Sequence, residues 1–114
     1  MATRIAADTL IPGRGDPIAD GIVIADGNNI VYAGPAAAAP PAATEDTAFE
    51  VPAVMPGMWE AHGHFVGSPI PDLEQMATAD PGTLVARATA DAAATLNGGI
   101  TSMREVGGLG ISLK

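Results

Sequence analysis

The chain has 114 residues, one domain's worth at most, and 47% of them are hydrophobic, enough for a packed core. Its formal charge of -8, from 13 acidic and 5 basic side chains, argues against nucleic acid or an anionic membrane surface as a partner, since both call for a basic face. There is no cysteine, so disulfides and thiolate metal sites are out of reach, and no apolar run approaches the length of a membrane span.

The opening residues "MATRIAADTLIPGRGD" contain no continuous apolar stretch of the signal-peptide kind, and a mature cytoplasmic protein is expected. Short strands punctuated by turns follow. Gly13 to Pro17 reads as a loop, and its Arg14-Gly15-Asp16 triplet is ordinary turn chemistry, not an adhesion signal. "GIVIADGNNIVYAGP" holds two β-branched runs, Ile22 to Ile24 and Ile30 to Tyr32, around Asp26-Gly27-Asn28-Asn29, four residues that tolerate positive φ; this is a β-hairpin. Two strands are too few to stand alone, so they must pair with something else. Pro35, Pro40 and Pro41 argue against a helix in "PAAAAPPAA", which reads as a solvated connector. "AFEVPAVMPG" re-enters extended structure, Pro56-Gly57 breaks it, and "MWEAHGHF" makes a further strand.

The second half changes period. Asp80 before Pro81 is an N-cap with proline at the first helical position, and Leu84, Ala88, Ala92 and Leu96, with Val85 alongside, mark one apolar stripe at helical spacing. Asn97-Gly98-Gly99 supplies a left-handed stop. "ITSMREV" is a strand ended by Gly107-Gly108, and "LGISLK" can open another helix. The expected class is α/β with a β-rich N-terminal part: an antiparallel module over residues 1–54, then a strand-helix-strand unit over residues 55–114. No internal repeat is visible.

The only two histidines, His62 and His64, stand one residue apart in "PGMWEAHGHFVG". On a strand they project to one side, roughly 7 Å apart along the backbone, and Gly63 between them adds no bulk opposite. Two imidazoles placed this way can converge on one divalent cation, and imidazole suits zinc, iron, nickel and similar ions. By itself His-x-His is more often coincidence than a site, and two ligands do not close a tetrahedral sphere.

The surroundings add to it. "VMPGMWEAHGHFVG" resembles the signature of the metal-dependent amidohydrolase superfamily. "DGNNIVYAGP" is similar to the stretch that precedes that signature, and "GGITSMREVGG" to the family's second barrel strand. Trp59 and "HGHF" look most like the branch holding imidazolonepropionase-like proteins, prolidase-type dipeptidases and ochratoxin-degrading amidases. Glu60 and Glu105 stand where the family most often has aspartate. The resemblance implies a partial β-sandwich followed by the first strand-helix-strand of a (β/α)8 barrel, with His62 and His64 as metal ligands at the end of barrel strand one. It implies one or two metal ions, zinc above all, that activate water and polarise a carbonyl. Glu60 and Arg104 are candidates to support the ligands from behind. The catalytic residues and remaining ligands are expected outside this chain. Lys114, the only lysine, follows strand two and is not a candidate for the family's carboxylated ligand.

The expected function is the N-terminal portion of a hydrolase of an amide-type C–N bond (peptide-like, N-acyl amino acid or cyclic amide), active when the rest of the barrel completes it. The expected partners are that remainder, as another chain or segment, and a small-molecule amide; the complete enzyme is expected to be a homo-oligomer. A piece of a longer enzyme, a natural split subunit and an inactive truncated product all fit the sequence. The rival is a non-catalytic structural or interaction module that binds no metal. Asp72, Glu74 and Asp91 are expected on a solvated face, Arg104 is as readily an ion-pair partner of Glu105, and Trp59 and Phe65 are expected to be barrel packing.

Overall fold

The computed structural model describes residues 1–68 and 72–108. The chain divides into two units, Met1–Pro56 and Gly57–Lys114, and among the described residues it is a mixed α/β, strand-rich structure. "LGISLK" lies outside the described residues, as does part of the segment between Val66 and Asp72.

In the first unit four strands, β1 (Ala2–Leu10), β2 (Ile18–Asp26), β3 (Asn29–Pro35) and β4 (Thr47–Val54), form one sheet in the order β3-β2-β1-β4. The hairpin read from the sequence is β2–β3. Of its four turn residues Gly27 takes the positive φ, 56°, and a bulge follows where the register shifts between Ile24 and Ala25. The expected antiparallel module needs one correction: β4 runs parallel to β1. Parallel neighbours require a crossover, and residues 36–46 supply it with a single 3-10 turn, Ala36–Ala38, and no longer helix. β4 tolerates Pro52 because it is an edge strand, where a missing N–H breaks no ladder. Ala7, Leu10, Ile22 and Ile24 are the buried apolar side chains of this sheet. Full burial of each of the three large ones contributes about 1.5–3 kcal/mol.

The crossover is tied down by polar groups at the start of the parallel pair. Arg4 donates from Nη2 to the Pro40 carbonyl at 2.7 Å, and its Nη1 lies 3.6 Å from Asp46 Oδ2. Asp46 accepts the Ala2 N–H on Oδ1 at 2.9 Å and the Ala43 N–H on Oδ2 at 3.1 Å. Those two backbone donors, more than the nearby Arg4 cation, hold the Asp46 carboxyl below the ordinary aspartate range. A depressed folded pKa stabilises the fold above the unfolded value, and that contribution is lost as pH falls through the folded value. Asp46→Asn is therefore expected to lower Tm at pH 7, and the gap from the parent should close on acidification below about pH 4; thermal unfolding followed across that range checks it.

The second unit contains β5 (Met58–Gly63), α1 (Leu73–Thr78), α2 (Pro81–Asn97) and β6 (Ile100–Glu105), with β5 and β6 paired in parallel. The strand-helix-strand order read from the sequence is present, with α1 added. Asp72, expected on a solvated face, caps α1 by accepting the Glu74 and Gln75 N–H groups on Oδ1 at 3.0 Å each. A six-residue helix is too short to show a period, so the cap is its principal signal. Asp80 caps α2 as expected, accepting from Thr83 N at 2.8 Å, with Pro81 at the first position. Along the stripe Ala88 is fully buried and Leu84 and Ala92 are half-buried, while Leu96 is 61% exposed. At the stop, Gly98 remains right-handed (φ -76°) and it is Gly99 that turns left-handed (φ 88°). Among the described residues no helix is long and apolar enough to cross a membrane.

Gly67 fixes the path of the chain after the histidines. It is buried, has φ 70°, and a Cβ there would collide with the Leu84 backbone of α2 (2.8 Å from Cα) and overlap its carbonyl oxygen. Gly67→Ala is expected to cost about 2–5 kcal/mol, a left-handed penalty of about 1–2 plus overpacking of about 1–3. Denaturant unfolding measures it; a loss below about 1 kcal/mol would show that this packing is not formed.

Candidate metal-binding site

The site lies where the parallel strands end. The β5–β6 ladder pairs Glu60 with Met103 and Gly63 with Glu105, so Ala61 and His62 together face Arg104 across a bulge. With the register shifted there, the His62 N–H is taken by Glu60, whose Oε1 accepts it at 2.9 Å. β5 stops at Gly63, so His64 stands just past the strand end and not within the strand expected over "MWEAHGHF". Gly63 leaves room for the Met103 side chain, whose Sδ a Cβ at residue 63 would approach to 2.6 Å.

The two imidazoles converge. Their ring centres are 5.3 Å apart and their planes are inclined at 68°. Two imidazoles on one tetrahedral ion, with metal–nitrogen bonds of about 2.0–2.1 Å, have ring centres roughly 5 Å apart, so this spacing fits a shared cation. His64 Nδ1 lies 2.8 Å from the Gly107 carbonyl oxygen. A carbonyl only accepts, so the proton sits on Nδ1 and the Nε2 lone pair of His64 is left free for a ligand. Both side chains are exposed.

A residue that the sequence reading did not assign a role at the site holds this corner together. Glu105 ends β6 and accepts the Phe65 N–H on Oε2 at 2.9 Å and the Gly107 N–H on Oε1 at 3.1 Å. Its signal in the sequence was an acid at a strand end, separated from Gly107-Gly108 by Val106 alone. Arg104 is exposed and, among the described residues, its side chain forms no ion pair or hydrogen bond; Glu105, named as its possible partner, spends its carboxylate on backbone. Trp59 is 74% exposed in this chain and Phe65 is half-buried. Among the described residues no group of three or more His, Cys, Asp or Glu is gathered to hold a metal.

No protein-family model matches the chain. An ochratoxinase of Aspergillus niger is 31% identical over 112 residues, covering 95% of this chain and 23% of that protein. The crystal structure of A. niger ochratoxinase superposes with a TM-score of 0.85 at 31% identity, over 98% of this chain and 27% of that one. The chain belongs to the amidohydrolase superfamily. A Xaa-Pro dipeptidase with methionine bound in its active site matches this amidohydrolase chain at TM-score 0.80 and 28% identity, over 99% of this chain and 29% of that one. A prolidase complexed with N-methylphosphonate-L-proline matches at TM-score 0.77 and 26% identity, over 94% and 26%. The amidohydrolase sequence corresponds to an N-terminal portion of these folds and spans about a quarter of the length of the relatives it matches.

Proposed function

We propose that this chain supplies the first two barrel strands, β5 and β6, and two metal ligands, His62 and His64, to a hydrolase that cleaves an amide-type C–N bond. The observation that carries the reading is the convergence of the two rings at 5.3 Å, with His64 oriented by Gly107 so that Nε2 is free. Support comes also from the relatives, which are named as an ochratoxinase, a prolidase and a Xaa-Pro dipeptidase. A divalent ion, zinc first, would be held by the two imidazole nitrogens together with donors from later strands. When bound, such an ion supplies a water acidified towards neutral pH and a Lewis acid for the substrate carbonyl.

The chain's own residues do the placing. Glu60 takes the His62 N–H, so the bulged backbone that presents His62 has its donor satisfied. The Gly107 carbonyl fixes the tautomer of His64. The group that moves the proton, the other ligands and the residues that select the substrate belong to the remainder of the barrel in this reading. The same remainder would cover Trp59 and Met58, which are exposed, and the edges of the β5–β6 pair, which carry no third strand among the described residues.

Metal analysis of the complete protein that carries this chain tests the proposal. One or two equivalents of zinc or a similar ion are expected. His62→Ala and His64→Ala should each weaken zinc binding by more than the 10–100-fold that loss of an outer hydrogen-bond partner costs. Zinc content and affinity unchanged in both variants would overturn the metal role and favour a non-catalytic interaction module.

A further inference from the structure

We infer that Glu105 is a positioning residue for His64, acting through Gly107 and through the Phe65 N–H. His64 depends on one acceptor, the carbonyl of Gly107. That acceptor belongs to a glycine at φ 142°, a conformation open to glycine and rarely to other residues, followed by a second glycine. Such a peptide has no intrinsic reason to hold its carbonyl in one direction. Glu105 narrows the choice, because its Oε1 accepts the N–H of the Val106–Gly107 peptide while His64 binds the carbonyl of the next peptide, Gly107–Gly108, so Gly107 is held on both sides of its Cα.

The second oxygen completes a closed circuit. Glu105 Oε2 accepts the N–H of Phe65, the residue covalently next to His64. The carboxylate therefore grips both segments whose mutual placement decides the His64 bond: the chain leaving β5 at residues 64–65 and the chain leaving β6 at residue 107. Gly108 permits the approach, since a Cβ there would stand 2.9 Å from the Phe65 carbonyl oxygen. Ladder pairing alone does not do this, for the last β5–β6 backbone bond, Val106 N to Gly63 O at 3.1 Å, lies before both segments. Two acceptor oxygens on one planar group are needed, and a carboxylate has them.

The affinity arm of the test rests on the metal reading above, whereas the tautomer arm stands without it. In the complete protein with 15N-labelled histidine, the metal-free His64 ring is expected to carry its proton on Nδ1, its signals being identified by their loss in His64→Gln. Glu105→Ala should shift that ring towards the Nε2–H form and weaken zinc binding by about 10–100-fold. Glu105→Asp keeps both acceptors and should restore most of both properties. Should the alanine variant fail to fold, Glu105→Gln carries the test, because its amide offers one acceptor oxygen in place of two and should give the same shift in smaller measure. Wild-type tautomer and wild-type zinc affinity in the folded variants would overturn the inference. A tautomer shift on removing Glu105, together with zinc binding indifferent to His62→Ala and His64→Ala, would uphold the positioning role and sink the metal reading instead.

Discussion

His64 and Gly107 are far apart in the chain and meet because two short strands run side by side in the same direction. β5 and β6 each have six residues, and the chain must travel back from the end of one to the start of the other before they can pair in parallel. The 17 residues of α2 make that return, spanning about 25 Å at 1.5 Å per residue, against about 20 Å for a six-residue strand. The pairing opens with Met58 N donating to Gly99 O at 2.8 Å and closes at Gly63. The polar contacts between the two strand ends, the Glu105 bond to Phe65 and the His64 bond to Gly107, are a consequence of that parallel register.

The same register carries a defect that the site uses. Between Glu60 and Gly63 the ladder slips, and His62 loses its backbone partner on β6. A polar N–H left unpaired there would be a cost, and the side chain of Glu60, two residues back on the same strand, absorbs it. Bulges re-aim side chains at strand ends. Here the bulge lies at one of the two histidines whose rings come to 5.3 Å from each other. In the first unit an analogous economy operates at Asp46, one carboxylate meeting two backbone donors where β1 and β4 begin. In both units acidic side chains close gaps left by irregular backbone, which gives part of the excess of 13 acids over 5 bases a structural use.

Local chemistry was legible in the sequence and longer-range geometry was not. Asp80-Pro81 announced the start of α2, and Asp26-Gly27-Asn28-Asn29 announced the hairpin, because capping and turn preferences act over three or four residues. α1 went unread since six residues carry less than two turns of periodicity, though Asp72 was in view as an acid. The parallel placement of β4 beside β1 was equally hidden: an extended run of eight residues says nothing about which neighbour it joins or in which direction. At the site, the nearness of His62 and His64 followed from their spacing. Glu60, which takes the His62 N–H, was in view as a supporting residue; the partner of His64 was not, as Gly107 reaches it, and Glu105 reaches Phe65, only across the β5–β6 pair.

The sequence by itself determined the Asp80 cap of α2, the hairpin turn and the order of the elements apart from α1, the two imidazoles available to a cation, and a resemblance that the ochratoxinase and dipeptidase relatives support. These are properties of short stretches, set by backbone preference and side-chain chemistry within a few residues. Tertiary structure decided the rest: that the rings converge across a bulge, that His64 is oriented by a glycine carbonyl, and that the acid at the end of β6, not the arginine before it, grips both strand ends. Those outcomes depend on which segments hydrogen-bond to each other and in what register, and register between distant strands is a property of the packed chain.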